Sequence, residues 1–339
     1  MSLPATFKRA AFTEAGSRLS IGDVRLQHPG ENEVLVKVEA CGVCHSDISV
    51  QRNDFGAGFP MTPGHEIIGR VAAVGEGVTK WKVGDRIGAG WHGGHDGTCG
   101  ACKKGLYQMC DNEPINGVTR NGGYAEYVLI RAEAGVVIPE GVDAAKFAPL
   151  LCAGLTVFNG IRHMNVSPGE TVAIQGLGGL GHLAVQYANK FGFRVIAISR
   201  GADKEDFARK LGAHEYVDTT KVEAGAGVAA LGGASLIVTT NPHGEQIPEL
   251  VRGLGPRGKL LVLSLAGEIP INVNIMTGKG LSLHTWPAGH AEDAEETVKF
   301  AQLQGIDCMI QTFPLEKANE AYDAMANGSV RFRAVLTME

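Results

Sequence analysis

Two sets of sulfur, imidazole and carboxylate side chains have the types and spacing to bind metal. The first is scattered: Cys44, followed by His45, Ser46 and Asp47; then His65-Glu66; then Cys152. Thiolate and neutral imidazole are donors that zinc prefers, and a carboxylate beside a ligating histidine can orient it. Singly, each residue has an ordinary alternative. A lone cysteine is usually a buried apolar side chain, and a lone histidine a satisfied polar one. Only the combination points to zinc. The second set is compact: Asp96, Cys99, Cys102 and then Cys110. C-x-x-C with a third cysteine shortly after is a structural-zinc pattern, the alternative being a reduced loop of unpaired thiols. Cys41 and Cys308 read as packing thiols.

A third stretch could hold a phosphate. Gly176-Leu177-Gly178-Gly179-Leu180-Gly181 follows the short apolar run Thr171–Gln175 and precedes apolar residues at helical spacing from His182 to Phe191. Glycines at Gly176 and Gly178 permit a tight turn and a close backbone approach, and Gly181 lets the helix pack on the strand. The free N–H groups and positive end of that helix suit a pyrophosphate. G-x-G-x-x-G alone is weak, but this strand–loop–helix context makes it a dinucleotide-binding signal.

The elements that must position these residues change character near residue 153. Before it, short alternating or glycine-bounded strands are expected at Glu33–Glu39, Gly69–Gly75, Gly84–Gly88 and Gly123–Ile130, with turn residues between, as in a β-barrel. After it, strands at Thr171–Gln175, Arg194–Ser199, Ser235–Thr239 and Lys259–Leu263 alternate with helices at His182–Phe191, Lys204–Leu211 and Pro248–Leu254. That alternation predicts a parallel, doubly wound sheet. A helix at Glu292–Gln304 and a tail including Asn319–Asn327 are too small for a domain and are expected to pack on the first one. The expected division is 1–152 with 287–339, and 153–286.

The chain has 339 residues, enough for two cores, and 47 of them are glycine, which fits many tight turns. Lys+Arg 31 against Asp+Glu 36 gives a net charge of −5, and there is no basic run, so nucleic acid is not an expected partner. No apolar run reaches the roughly 18 residues needed to span a bilayer. The first residues carry no signal-peptide core, and the last carry no lipidation or peroxisomal signal. No membrane partner and a cytoplasmic location are expected. Seven cysteines, an odd number, favour a reducing compartment.

Together these motifs resemble the zinc-dependent alcohol dehydrogenases of the medium-chain dehydrogenase/reductase superfamily, over nearly the whole chain. The resemblance rests on Cys41-Gly-Val-Cys-His-Ser-Asp47, Pro63-Gly-His-Glu66, Leu151-Cys-Ala-Gly-Leu-Thr156, the glycine loop and Arg333. It is closest to the short microbial members, which look like tetramers. It implies an α/β protein with a GroES-like β-barrel catalytic domain and a Rossmann-fold cofactor domain, the cleft lying between them. It implies hydride transfer between a primary or secondary alcohol, or the matching aldehyde or ketone, and a nicotinamide cofactor.

Residue by residue, the resemblance implies a catalytic zinc on Cys44, His65 and Cys152, and a structural zinc on the second cluster, two zinc ions per chain. Glu66 stands where a carboxylate can transiently replace the zinc-bound water, Asp47 orients the ligating histidine, and Ser46 takes the alcohol proton. His45 and Arg333 contact the pyrophosphate, and Thr156 lies near the nicotinamide. Phe55 and Trp91 fall at substrate-pocket positions, with core packing as their alternative.

The sequence departs from the family in three places. The structural site opens with Asp96 rather than cysteine, with His92 and His95 as rival ligands. Ser49 replaces the histidine that often ends the proton relay. Thr285-Trp286 replaces a common Gly-Ser pair, so Trp286 is expected to narrow the cleft or lean on the substrate. In NAD-binding Rossmann folds an acidic residue about 20 positions beyond the first glycine binds the ribose 2′-OH. Here the strand ends in Ser199, followed by Arg200 and Lys204, similar to NADPH-preferring members. NADP(H) is therefore favoured, with NAD(H) as the alternative. The competing readings are a polyol dehydrogenase of the same superfamily, which often has a carboxylate at the Cys152 position, and a non-catalytic cofactor-binding protein.

Overall fold

A computed structural model describes residues 3–338. The backbone divides into two compact units, one comprising the described residues up to Leu155 with those from Gly289 on, the other Thr156–Ala288.

The first unit is built on a seven-stranded sheet. Its central strand, Glu33–Val43, pairs antiparallel with Ile67–Val74, Tyr127–Arg131 and Arg333–Thr337. Val34, Leu35, Val36 and Val38 are buried and Lys37 is exposed, so the alternation of a one-faced strand holds from Val36 to Val38 while Leu35 is covered on the other face. The strand runs beyond the predicted Glu39 because Ala40 to Val43 pair with the C-terminal strand, Ala40 opposite Thr337 and Val43 opposite Ala334. That extension carries the chain to Cys44. Ile310–Pro314 joins the other side of Arg333–Thr337, so the tail completes this sheet. The core collects Val36, Ile67, Ile87, Tyr124, Ile130 and Leu336.

The segment predicted as one strand from Gly123 becomes a ladder strand only at Tyr127. Its first residues bond elsewhere: Gly122, Gly123 and Tyr124 N–H donate to the carbonyls of Thr62, Gly64 and Pro63. They brace the loop that carries His65.

The second unit is a six-stranded, wholly parallel sheet. Its spatial order is Glu215–Asp218, Arg194–Ser199, Thr171–Gln175, Ala234–Thr239, Leu254–Val262 and Ser282–Thr285. Numbered along the chain, this is 3-2-1-4-5-6, the doubly wound arrangement with its switch point beside Thr171–Gln175. Val172, Ala173 and Ile174 are fully buried, as expected of a strand covered on both faces. The predicted helix at Pro248–Leu254 is instead a short 3-10 turn, Pro248–Gly253, because the next strand already begins at Leu254. Among the described residues no single helix is long and apolar enough to cross a membrane.

Candidate active site

Three separate chain segments bring the scattered metal-binding residues together in the first unit. Cys44 follows the central strand, His65 precedes Ile67–Val74, and Cys152 follows the 3-10 turn Ala148–Leu151. Ligand atoms of Cys44, His65, Glu66 and Cys152 all lie within 4.8 Å of one another. The two sulfurs are 3.8 Å apart, and His65 Nε2 is 3.3 Å from Cys152 Sγ. Two thiols and an imidazole converging without a disulfide are a donor set that fits zinc.

Asp47 stands behind this cluster, fully buried at the start of the short helix Asp47–Arg52. Its Oδ2 accepts from Cys44 N–H (2.9 Å) and from the Tyr124 hydroxyl (2.8 Å). Its Oδ1 faces His65 Nδ1 at 3.7 Å, and neither of these two atoms has another hydrogen-bond partner. Tyr124 was not singled out in the sequence. Its only signal was a polar aromatic after Gly122-Gly123.

Glu66 and Arg333 form a second buried couple, an ion pair. Gly42 must be glycine beside them, since a Cβ there would lie 1.8 Å from Glu66 Oε2. Electrostatics within the cluster are strong. The hydrogen bond from Cys152 is the main cause that holds Cys44 well below the usual thiol range, against burial. Burial alone would lower His65, but the Cys44 thiolate outweighs it, with Asp47 and Glu66 adding, and His65 rises to about 9. Burial raises Glu66, with Arg333 opposing. A cluster so arranged gains by exchanging its protons for a cation.

Around it, Ser46 Oγ lies 3.4 Å from His65 Nε2. Trp91 meets the His65 ring edge-on at 5.0 Å, and Phe55 meets Trp91 at 5.7 Å. Phe55 is partly exposed, which core packing would not leave it. His45 is exposed next to Cys44, and Ser49 is half-buried on the helix. Cys41 is buried and burial pushes its thiol well up. Cys308 is also buried, its thiol pushed to about 12 by the same cause. Both thiols pack in the interior.

The compact cluster forms a second group, with ligand atoms of Asp96, Cys99, Cys102 and Cys110 within 4.8 Å of one another. Backbone N–H groups of Asp96 and Asn112 point at Cys110 Sγ, and that of Cys102 at Cys99 Sγ, each at 3.4 Å. The Cys102 N–H is the main cause that holds the Cys99 thiol below its usual range, while burial pushes the Cys102 thiol up. Asp96 accepts from Thr98 N–H, Cys99 N–H and Asn112 Nδ2, which hold its carboxyl well below its usual range. Asn112 is a further residue missed in the sequence. His92 and His95 bond each other at 3.2 Å, and His95 stacks on Tyr107.

The second unit holds the glycine loop. Gly176 has φ +98°, which a side chain would resist, and a Cβ on Gly181 would lie 1.9 Å from Gly176 O. A Cβ on Gly178 would meet nothing within 4 Å. Gly178 thus borders open space at the start of the helix Gly181–Lys190, which no side chain caps at Leu180. An uncapped, glycine-lined helix start is an anion cradle. At the next strand end, Ser199 sits opposite Asp218. Asp218 Oδ1 accepts from Gly201 N–H, and Tyr216 hydroxyl donates to Gly201 O, so the backbone after Arg200 is tethered on both sides. Arg200 is exposed and Lys204 half-buried. Thr156 is half-buried on the helix Ala153–Arg162. Trp286 stacks on His163 at 3.9 Å.

Comparison with known proteins agrees with this geometry. Residues 30–140 match the alcohol dehydrogenase GroES-like domain, and residues 179–303 the zinc-binding dehydrogenase domain. The chain is 64% identical to the alcohol dehydrogenase patD of Penicillium expansum, over 99% of this chain and 98% of that one. It is 58% identical to the alcohol dehydrogenase notN of an Aspergillus species, over the full length of both. Among solved structures it is similar to a cinnamyl alcohol dehydrogenase of Sorghum bicolor, with TM-score 0.89, 30% identity and coverage of 98% and 97%.

Proposed function

Because the chain belongs to the zinc-type alcohol dehydrogenases of the medium-chain dehydrogenase/reductase superfamily, and so is an oxidoreductase acting on alcohols and aldehydes, we propose that it works through a zinc held by Cys44, His65 and Cys152, with NADP(H) as the preferred cofactor. The observation that carries this reading is the convergence of those three side chains, with Glu66, from distant parts of the chain. Asp96, Cys99, Cys102 and Cys110 would hold a second, structural zinc.

Zinc there would act as a Lewis acid on the alcohol or carbonyl oxygen, and the nicotinamide cofactor would accept or donate the hydride. The protein's own groups do the rest. Asp47 orients His65 from behind. Ser46, near His65 Nε2, takes the proton from the alcohol and passes it outward; Ser49 leaves no imidazole further along. Phe55 and Trp91 form an aromatic wall that holds the substrate carbon chain and excludes water. Trp286 stacks on His163 within the second unit. Glu66, balanced by Arg333, would supply a further carboxylate beside the metal held by Cys44, His65 and Cys152.

The cofactor pyrophosphate would lie on Gly176, Gly178, Gly179, Leu180 and Gly181, with Thr156 of the same unit near the nicotinamide. Ser199 offers no charge to repel a 2′-phosphate, and Arg200 and Lys204 offer cations to bind it. Asp218 is engaged by Gly201 and Thr220. Seven free cysteines suit the reducing cytoplasm. A homo-oligomer, a tetramer rather than a dimer, completes the reading.

The test is an initial-rate panel of primary, secondary and aromatic alcohols and their carbonyls, each with both nicotinamide cofactors. Turnover only on polyols, or on none of the panel, would overturn it.

A further inference from the structure

We propose that Tyr124 is a positioning residue for His65, acting through Asp47, an inference that rests on the zinc reading of Cys44, His65 and Cys152. The Asp47 carboxylate is fully buried, so how its oxygens are shared among donors is fixed by a few neighbours. Oδ2 is taken twice, by Cys44 N–H and by the Tyr124 hydroxyl. That leaves Oδ1 for His65 Nδ1, which lies 3.7 Å away and has no hydrogen-bond partner of its own. A carboxylate facing Nδ1 favours the tautomer that carries its proton there. Nε2, facing Cys152 Sγ, then keeps its lone pair for a metal.

Tyr124 is tied to the same loop in two further ways. Its N–H donates to Pro63 O, two residues before His65. Its ring packs so closely on Gly64 that a Cβ there would lie 2.4 Å from Cδ1, and Gly64 has φ +101°, a conformation suited to glycine. One residue therefore grips both the backbone leading into His65 and the carboxylate behind it. Phenylalanine would keep the ring and the backbone bond and lose only the hydroxyl. Oδ2 would then have a vacant acceptor site, and the carboxylate would be free to rotate away from Nδ1.

The experiment is Tyr124→Phe in the purified holoenzyme, alone and with Asp47→Asn. Zinc release to a chelator is followed with a chromogenic dye, and cobalt-substituted protein gives the absorption spectrum of the site. The second zinc serves as the internal reference. Tyr124→Phe is expected to speed release from the Cys44/His65/Cys152 site about tenfold, the low end for a group supporting a ligand. It should shift the cobalt bands, leave the second release phase unchanged, and add nothing once Asp47→Asn is present. Release within about twofold of native from a chain that holds its zinc would overturn the role of Tyr124 alone. So would equal acceleration in both Asp47 backgrounds. A native chain that binds no zinc on Cys44, His65 and Cys152 would overturn the metal reading and this inference together.

Discussion

Arg333 and Glu66, 267 positions apart in the chain, form an ion pair with both side chains withdrawn from solvent. Arg333 opens the C-terminal strand, and Glu66 follows His65. The tail of the chain thus carries the cation that makes a buried carboxylate tolerable beside two thiols. Removing one partner leaves the other charged and unpaired. Arg333→Met is expected to cost about 3–5 kcal/mol in chemical denaturation, and the double substitution with Glu66→Gln much less. Equal losses in the single and double variants would contradict the coupling.

A zinc held by the four side chains of the compact cluster would have no open position, so it should stabilise a loop without taking part in turnover. Asp96→Ala is expected to lower thermal stability and zinc retention more than it lowers the initial rate. Metal analysis checks the ligand itself. Full second-site occupancy in Asp96→Ala would assign the fourth position to His92, His95 or water.

Ser46 Oγ, 3.4 Å from His65 Nε2, is the hydroxyl proposed to carry the alcohol proton. Ser46→Ala is expected to lower kcat by at least ~10²-fold, the low end for acid–base assistance, and a loss below about threefold would mean the proton leaves by another route.

Cofactor choice rests on Ser199 and Arg200. The ratio of kcat/KM for NADPH to that for NADH should exceed unity in the native protein and invert in Ser199→Asp with Arg200→Ala. A native preference for NADH of about tenfold, or an unchanged ratio in the double variant, would contradict the assignment.

The β-rich first unit, the parallel second unit and the glycine loop were legible because each carries a local signal: alternation, apolar strands between helices, or glycines at fixed offsets. The Glu215–Asp218 strand was not, because four residues with two acids show no period. The three-sided pairing of Glu33–Val43 was hidden because one partner comes from the far end of the chain. The metal-binding side chains declared themselves by type. Their supports did not. Tyr124 reaches Asp47 across 77 positions, Asn112 reaches Asp96 across 16, and a tyrosine or asparagine at either place reads like any other. Arg333 carried a family expectation of binding phosphate, while its partner in the folded chain is Glu66.

The central claim is that Cys44, His65 and Cys152 hold the zinc on which turnover depends. The most direct measurement is zinc content per chain, taken with alcohol turnover and cofactor binding, for the native protein and for Cys152→Ala. The account predicts two zinc ions per native chain, one for each cluster. It predicts the loss of one in Cys152→Ala, with turnover abolished and cofactor binding kept, since the glycine loop is a separate element. Near-normal turnover in a Cys152→Ala chain that lacks the zinc would contradict it.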